Sequence, residues 1–254
     1  VNFLQLQPWF TSNSTLFIAS HETQAKQKMA KQLKKLDLYE QFQLATKFNC
    51  LYIIVIQASD SMSSVLEPLK DTYLSRYGFA LSCIEEFVQS QYNQQHGQTS
   101  DILSIIVLQN NSADLLQKAA ELRPQTTASC CSVEPYGQLN LLAGVVHLEE
   151  LVATYYETIA KQCVIIMLTD GQTEDEENLF EALNVMQNWP NSEFMSRAKV
   201  HLVNFGINFE FLKQVAVLTK AECYDASENV FAIRDILQNI SHTTTVYRVC
   251  ARYF

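Results

Sequence analysis

Four short apolar runs set the frame of this chain: Leu51–Ile56, Ile102–Leu108, Cys163–Leu168 and Val200–Phe205. Each is rich in Ile and Val and gives way to polar residues. A strand covered on one face alternates apolar with polar, whereas a strand covered on both faces is apolar throughout. These runs therefore predict buried parallel strands. Parallel neighbours need long crossovers, usually helical, and helical patterns lie between the runs. Leu66–Gln89 repeats Leu69, Tyr73, Phe79, Ala80, Cys83, Ile84, Phe87 and Val88 at close to helical spacing. Ala113–Leu122 is a shorter helix candidate, which Pro124 helps to end. Further helices are predicted at Leu141–Ala160, Glu177–Met186, Phe209–Thr219 and Ala226–Ile240, with a short edge strand at Glu222–Tyr224. This order predicts an α/β fold, with a doubly wound, mostly parallel central sheet and helices on both faces.

Composition narrows the function. With 48% hydrophobic and 18% charged residues, the 254-residue chain can fill a core and does not read as disordered. A net charge of −9 argues against nucleic-acid binding by the core, because phosphate contacts need a basic face. No apolar run approaches the roughly 18–20 residues that span a membrane. The chain opens on Val1 without a signal-peptide pattern, as expected of an excised piece. Seven cysteines, an odd number, sit partly inside apolar runs, as Cys163 does before Val164. That usage fits buried thiols in a reducing compartment better than a disulfide framework. The glycosylation-like triplets at Asn13, Asn110 and Asn239 are short enough to arise by chance. An intracellular site, cytoplasmic or nuclear, is the expectation.

Three segments are expected along the chain. Residues 1–47 form an N-terminal extension with a Lys- and Gln-rich helix, residues 48–241 the α/β domain, and residues 242–254 a C-terminal strand-like extension. Lys26, Lys28, Lys31, Lys34 and Lys35 make the first extension locally basic. That pattern reads either as a solvated helix face or as a docking surface for an acidic partner. The alternation at Thr245–Phe254 suggests a strand, which could pair with the other terminus.

Ligands of open α/β sheets bind at the carboxyl ends of the strands. Three loops are expected at that edge. Gln57-Ala58-Ser59-Asp60-Ser61-Met62 follows the first run. Gly137-Gln138-Leu139-Asn140-Leu141 precedes the long helix, and Leu168-Thr169-Asp170-Gly171 ends the third run. Together they resemble the von Willebrand factor type A domain, whose first strand ends in Asp-x-Ser-Gly-Ser-Met. Its second loop often reads Gly-Gly-Thr-Asn-Leu, and its fourth strand ends in Thr-Asp-Gly. The resemblance covers about residues 48–241 and implies that family's Rossmann-like fold. It also implies a loop site for magnesium or manganese, with ligand positions at Gln57, Ser59, Ser61, Leu139 and Asp170.

This sequence departs from the pattern where the cation is held. Gln57 keeps a carbonyl oxygen but not the charge, and Leu139 offers no side-chain oxygen. Hard cations favour carboxylates, so the expectation is a vestigial or weak metal site. Asp60 stands where the family has Gly and is the one carboxylate that could substitute. Each residue also has a plain structural role open to it. Ser59 and Ser61 can cap the following helix, and Asp170 can close its own turn. The run Glu174-Asp175-Glu176-Glu177 can receive a basic partner or simply begin a solvated helix. The surface expected to meet a partner comprises Gln57, Asp60, Leu139, Asn140, Asp170, Glu174 and Asp175.

Signs of catalysis are missing. The first strand lacks the glycines of a dinucleotide turn, and no phosphate-loop Gly-Lys-Ser/Thr or Gly-x-Ser-x-Gly elbow occurs. The five histidines lack zinc-ligand spacing, and His147 reads as a core or groove residue. Cys130-Cys131 is not a Cys-x-x-Cys pair. The leading expectation is a non-catalytic protein-interaction or scaffold domain, a subunit of a multi-protein complex. The resemblance implies this. The alternative is a divalent-metal-dependent adhesion or ligand-binding domain using Asp60 and Asp170. A small-molecule or nucleotide-binding enzyme on a similar sheet comes third.

Overall fold

The first apolar run becomes β1 (Phe48–Gln57), a central strand of a six-stranded sheet in a computed structural model. The structure describes residues 48–65, 75–95, 100–109, 112–156, 160–172, 176–206 and 209–250. The other strands are β2 (Ser100–Gln109), β3 (Ser112–Glu121), β4 (Ala160–Thr169), β5 (Lys199–Asn204) and β6 (Glu222–Asp225). Their order is β3-β2-β1-β4-β5-β6, and every pairing is parallel except β2 with β3.

β1 is apolar from Cys50 to Ile56 because both of its faces are covered. Tyr52, Ile54 and Ile56 pack on one face with Leu103, Ile105, Val107, Ile166 and Leu168. Helices α1 (Arg76–Asn93) and α5 (Ala232–Cys250) close that side through Phe87, Ile84, Ile233 and Leu237. Leu51, Ile53 and Val55 pack on the other face with Ile102, Ile106, Ile165 and Met167. That side is closed by α2 (Leu141–Tyr155), α3 (Glu176–Met186) and α4 (Phe209–Thr219). Burying a Val- or Ile-sized side chain stabilises by about 1.5–3 kcal/mol, so a central strand of this composition resists displacement. A buried polar chain also crosses the first face. The Tyr52 hydroxyl donates to Gln91 Oε1 at 2.8 Å, and the Gln91 amide donates to Ser241, joining β1, α1 and α5.

Two sequence expectations are overturned. Ala113–Leu122 is not a helix but β3, an antiparallel edge strand. Leu115 and Leu116 fit either reading by spacing, but here they point to opposite faces and join the two separate cores. The connection from Gln109 to Ser112 is far too short for a crossover and enforces a hairpin. The second correction concerns the tail. The backbone through Cys250 continues α5 as helix, so the strand expected from Thr245 onward does not form over these residues. Ile240, Thr243, Val246, Tyr247 and Cys250 also satisfy helical spacing. Extending a docked helix avoids the cost of a new nucleus. The Lys-rich helix expected within residues 1–47 lies outside the described residues.

Boundaries moved elsewhere. Of the helix expected over Leu66–Gln89, positions 66–74 lie outside the described residues and α1 runs from Arg76, while α5 begins at Ala232 rather than Ala226. The edge strand β6 matches its expected position within one residue. At β3 the register shifts, and Ala119 takes a φ of 32°. The buried Ser104 hydroxyl accepts the Ala119 N–H at 2.9 Å, satisfying a donor that the bulge would otherwise strand.

Candidate functional site

At the carboxyl end of β1, backbone bonds tie its loop to β2 and to the loop before α2. Ala58 N–H donates to Leu108 O at 2.8 Å, Asp60 N–H to Gly137 O at 2.9 Å, and Tyr136 N–H to Ala58 O at 3.0 Å. The β1 loop then turns back: Val65 bridges Ser75, and Arg76 N–H donates to Ser64 O at 3.0 Å. Ser75 caps α1 by accepting from Gly78 N–H at 3.0 Å. These constraints bring Arg76, the first residue of α1, beside the end of β4.

Gln57 is fully buried at the centre. Its Nε2 donates to Ser59 Oγ at 2.6 Å and Asp170 Oδ1 at 2.8 Å. Longer contacts reach Gln172 O at 3.3 Å and Ser61 Oγ at 3.4 Å. The two amide hydrogens thus serve four oxygens. Gln57 Oε1 accepts from the Thr169 hydroxyl and from Asp170 N–H, the latter at 3.1 Å. Ser59 and Ser61 hydroxyls lie 3.0 Å apart, within the same network.

Asp170 is fully buried, and a buried carboxylate needs partners. Oδ1 accepts from the Gln57 amide and from Gln172 N–H at 3.0 Å, while Oδ2 faces Arg76 Nη1 at 3.4 Å. Arg76 itself is 23% exposed. Two glycines permit this geometry. Gly171 turns the chain with a φ of 71°. Gly206 passes so close that a Cβ there would lie 2.2 Å from Asp170 O.

The oxygen set expected from the sequence is therefore assembled, but around an amide nitrogen. Gln57, Ser59, Ser61 and Asp170 converge. Leu139 instead faces inward, joining the core cluster with Val145 and Met167. Asp60 is exposed and is not among the groups that the Gln57 amide reaches. As arranged, these side chains do not fit a hard divalent cation. Such an ion wants several oxygens at about 2.0–2.6 Å, carboxylates first. Here N–H hydrogens point at the oxygens, one carboxylate is present, and a guanidinium already faces it. Among the described residues no cluster of three His, Cys, Asp or Glu side chains is placed to hold a metal.

The expected partner surface divides by depth. Gln57, Asp170 and Leu139 are buried, so they support the edge rather than form its surface. Asn140 is half-buried and caps α2, accepting from Ala143 N–H at 2.9 Å. Asp60 is exposed, with Glu134 exposed nearby and Tyr136 48% exposed. Glu174 and Asp175 lie outside the described residues. Sequence reasoning missed Arg76, because a helix placed from Leu66 buried it mid-helix; Ser75, a capping residue type, was the available signal. A cavity of about 20 Å³ beneath Gln57, lined by Leu139, Met167 and Phe211, has room for about one water.

Away from this edge, burial controls the ionisable groups. Cys83 and Cys130 thiols are pushed up to about 11 by burial, and Cys163, inside β4, is pushed up by burial as well. No disulfide joins the described cysteines. His201 on β5 is held below its ordinary value by burial, against an opposing pull from Glu222.

No known protein-family profile matches the chain, and no curated protein does. Solved structures do. The PilB minor pilin from Streptococcus sanguinis superimposes with a TM-score of 0.60 at 15% identity, over 78% of this chain and 61% of that one. The chain thus spans less than two thirds of that pilin. The SpRpn10 VWA domain matches at a TM-score of 0.55 and 13% identity, over 74% of this chain and 93% of that one. The N-terminal domain of TFIIH p34 matches at 0.53 and 15%, over 76% and 97%. What is shared at these identities is the fold. This chain has the von Willebrand factor A architecture, a Rossmann-like sheet with helices on both faces. No described helix is long and apolar enough to cross a membrane.

Proposed function

We propose that the chain is a non-catalytic protein-interaction domain of the von Willebrand A type, working inside the cell as one component of a multi-protein assembly and without a divalent cation. The observation that carries this reading is the Gln57 amide at the centre of the loop oxygens, 2.8 Å from Asp170 Oδ1. It leaves the loops ordered by internal hydrogen bonds, so their outer surface is free for direct contact. Buried thiols support a reducing compartment. The architecture shared with the Rpn10 and TFIIH p34 domains supports an interaction role.

The contact surface in this reading is formed by Asp60, Asn140 and Tyr136, with Glu174 and Asp175 following Asp170 in sequence. The exposed Asp60 carboxylate and Tyr136 ring suit a partner segment carrying Lys or Arg beside an apolar residue. Affinity capture from the source cell, with and without EDTA, tests the reading. Capture should survive EDTA, fall in Asp60→Arg and Tyr136→Ala, and persist in Val217→Ala, a distant change on α4. Equal capture by all variants would sink it. Capture abolished by EDTA would favour the metal-dependent adhesion reading, in which Asp60 and Asp170 share a cation.

A further inference from the structure

We infer that Gln57 and Arg76 divide between them the two roles a divalent cation would play in this oxygen-lined loop. This rests on the cation-free part of the function proposed above. A cation there would do two things: draw the oxygens of separate loops to one point, and compensate the buried carboxylate. The structure assigns the first role to the Gln57 amide. Its Nε2 lies within 2.6–3.4 Å of Ser59 Oγ, Asp170 Oδ1, Gln172 O and Ser61 Oγ, and so joins the β1 loop to the β4 loop. It assigns the second to Arg76, whose Nη1 is 3.4 Å from Asp170 Oδ2.

The two residues come from different elements, and neither suffices alone. An amide carries no net charge, so Gln57 can gather the oxygens but cannot balance Asp170. A guanidinium at the edge of the site can balance Asp170 but does not touch Ser59 or Ser61. Asp170 is fully buried, and a buried charge without compensation is costly. Together the pair gives a neutral, hydrogen-bonded centre. A magnesium ion beside the single carboxylate would instead leave a net positive charge, with the Arg76 cation close by.

The test is a titration of manganese and magnesium chloride into four proteins by calorimetry: wild type, Gln57→Asp, Arg76→Ala and the double variant. Urea unfolding midpoints are measured alongside, in manganese and in EDTA. The double variant should bind manganese in a saturable one-to-one manner and unfold at higher urea with manganese than with EDTA. The wild type and both single variants should show neither effect. In Gln57→Asp the retained guanidinium pairs with the added carboxylate, and in Arg76→Ala the amide still fills the centre.

Two outcomes would overturn the inference. One is saturable binding to the wild type that disappears in Asp170→Ala. The other is a double variant with native circular dichroism that binds no cation. Should the double variant fold only with manganese present, its recovery of native circular dichroism in manganese and not in EDTA supports the inference. Failure to fold in either condition counts against it. A cation-binding wild type would remove the cation-free part of the proposed function and leave its protein-interaction part standing. Equal capture by the edge variants would remove that reading and leave this inference untouched.

Discussion

The Nε2 of Gln57 lies 2.8 Å from Oδ1 of Asp170, and this bond joins the carboxyl ends of adjacent strands β1 and β4. Both residues are fully buried, so the bond sits in a poorly solvated environment where an unmade partner is expensive. Removing the side chain with Gln57→Ala deprives Asp170, Thr169 and Ser59 of a shared partner. The expected loss is about 2–4 kcal/mol, read as a lower urea midpoint with unchanged slope.

Replacing the same amide by a carboxylate should do more than break a bond. Gln57→Glu sets two buried carboxylates about 3 Å apart, and both burial and like charge favour the protonated form in the fold. The folded-state pKa of the introduced carboxyl is therefore raised above its unfolded value of about 4.3. The penalty is fully present above the folded pKa and fades as pH falls toward the unfolded one. Urea midpoints of the variant and the wild type should converge on acidification; a difference independent of pH would refute the assignment.

Gly206 tests the same junction from the other side. A Cβ at that position meets Asp170 O at 2.2 Å and Asp170 Cβ at 2.4 Å. These are a backbone atom and a short side chain, neither of which can swing away. Gly206→Ala should cost about 3 kcal/mol and shift the Asp170 loop. Amide exchange of the β4 loop should speed up with it.

His201 gives the wild type a pH dependence far from this edge. Burial lowers its pKa, Lys199 lowers it further, and Glu222, 3.4 Å from Nδ1, pulls the other way without winning. Tyr224 also faces the ring, stacked with centroids 6.0 Å apart. With the folded value depressed below about 6.5, the unfolded chain takes up the proton first. Stability holds above that value and declines as pH drops below it toward the folded pKa. His201→Gln should flatten the decline in urea midpoints between about pH 7 and about pH 5.

The bulge in β3 offers a pair of opposite effects. Ser104→Ala removes the acceptor of the Ala119 N–H and should cost about 1–2 kcal/mol. Ala119 sits at a φ of 32°, which glycine adopts without penalty. Ala119→Gly should therefore raise the midpoint, by about 0.5–1 kcal/mol.

Much of the site was legible in the chain, and particular residues show where legibility stopped. Gln57 in place of a carboxylate announced a changed loop, and Ser59, Ser61 and Asp170 converge as their spacing suggested. Leu139 lacked an oxygen in sequence, and in space it turns inward. What spacing could not supply was the partner of Asp170. Arg76 lies 94 positions away in the chain and reaches it only because Ser64 and Val65 fold back onto the start of α1. Likewise Leu115 and Leu116 suit a helix or a strand equally until β2 offers an open edge.

The sequence by itself determined the four buried parallel strands, because strands covered on both faces are apolar along most of their length. It also determined that the loops after β1 and β4 meet at the carboxyl edge, since parallel strands place such loops at one end. Tertiary structure decided the rest: that β3 pairs antiparallel, that α5 continues through Cys250, and that an amide and a guanidinium hold the loop oxygens. Each of those outcomes depends on a competition between local conformers of similar energy, or on contacts between distant residues. Local pattern carries no information about either.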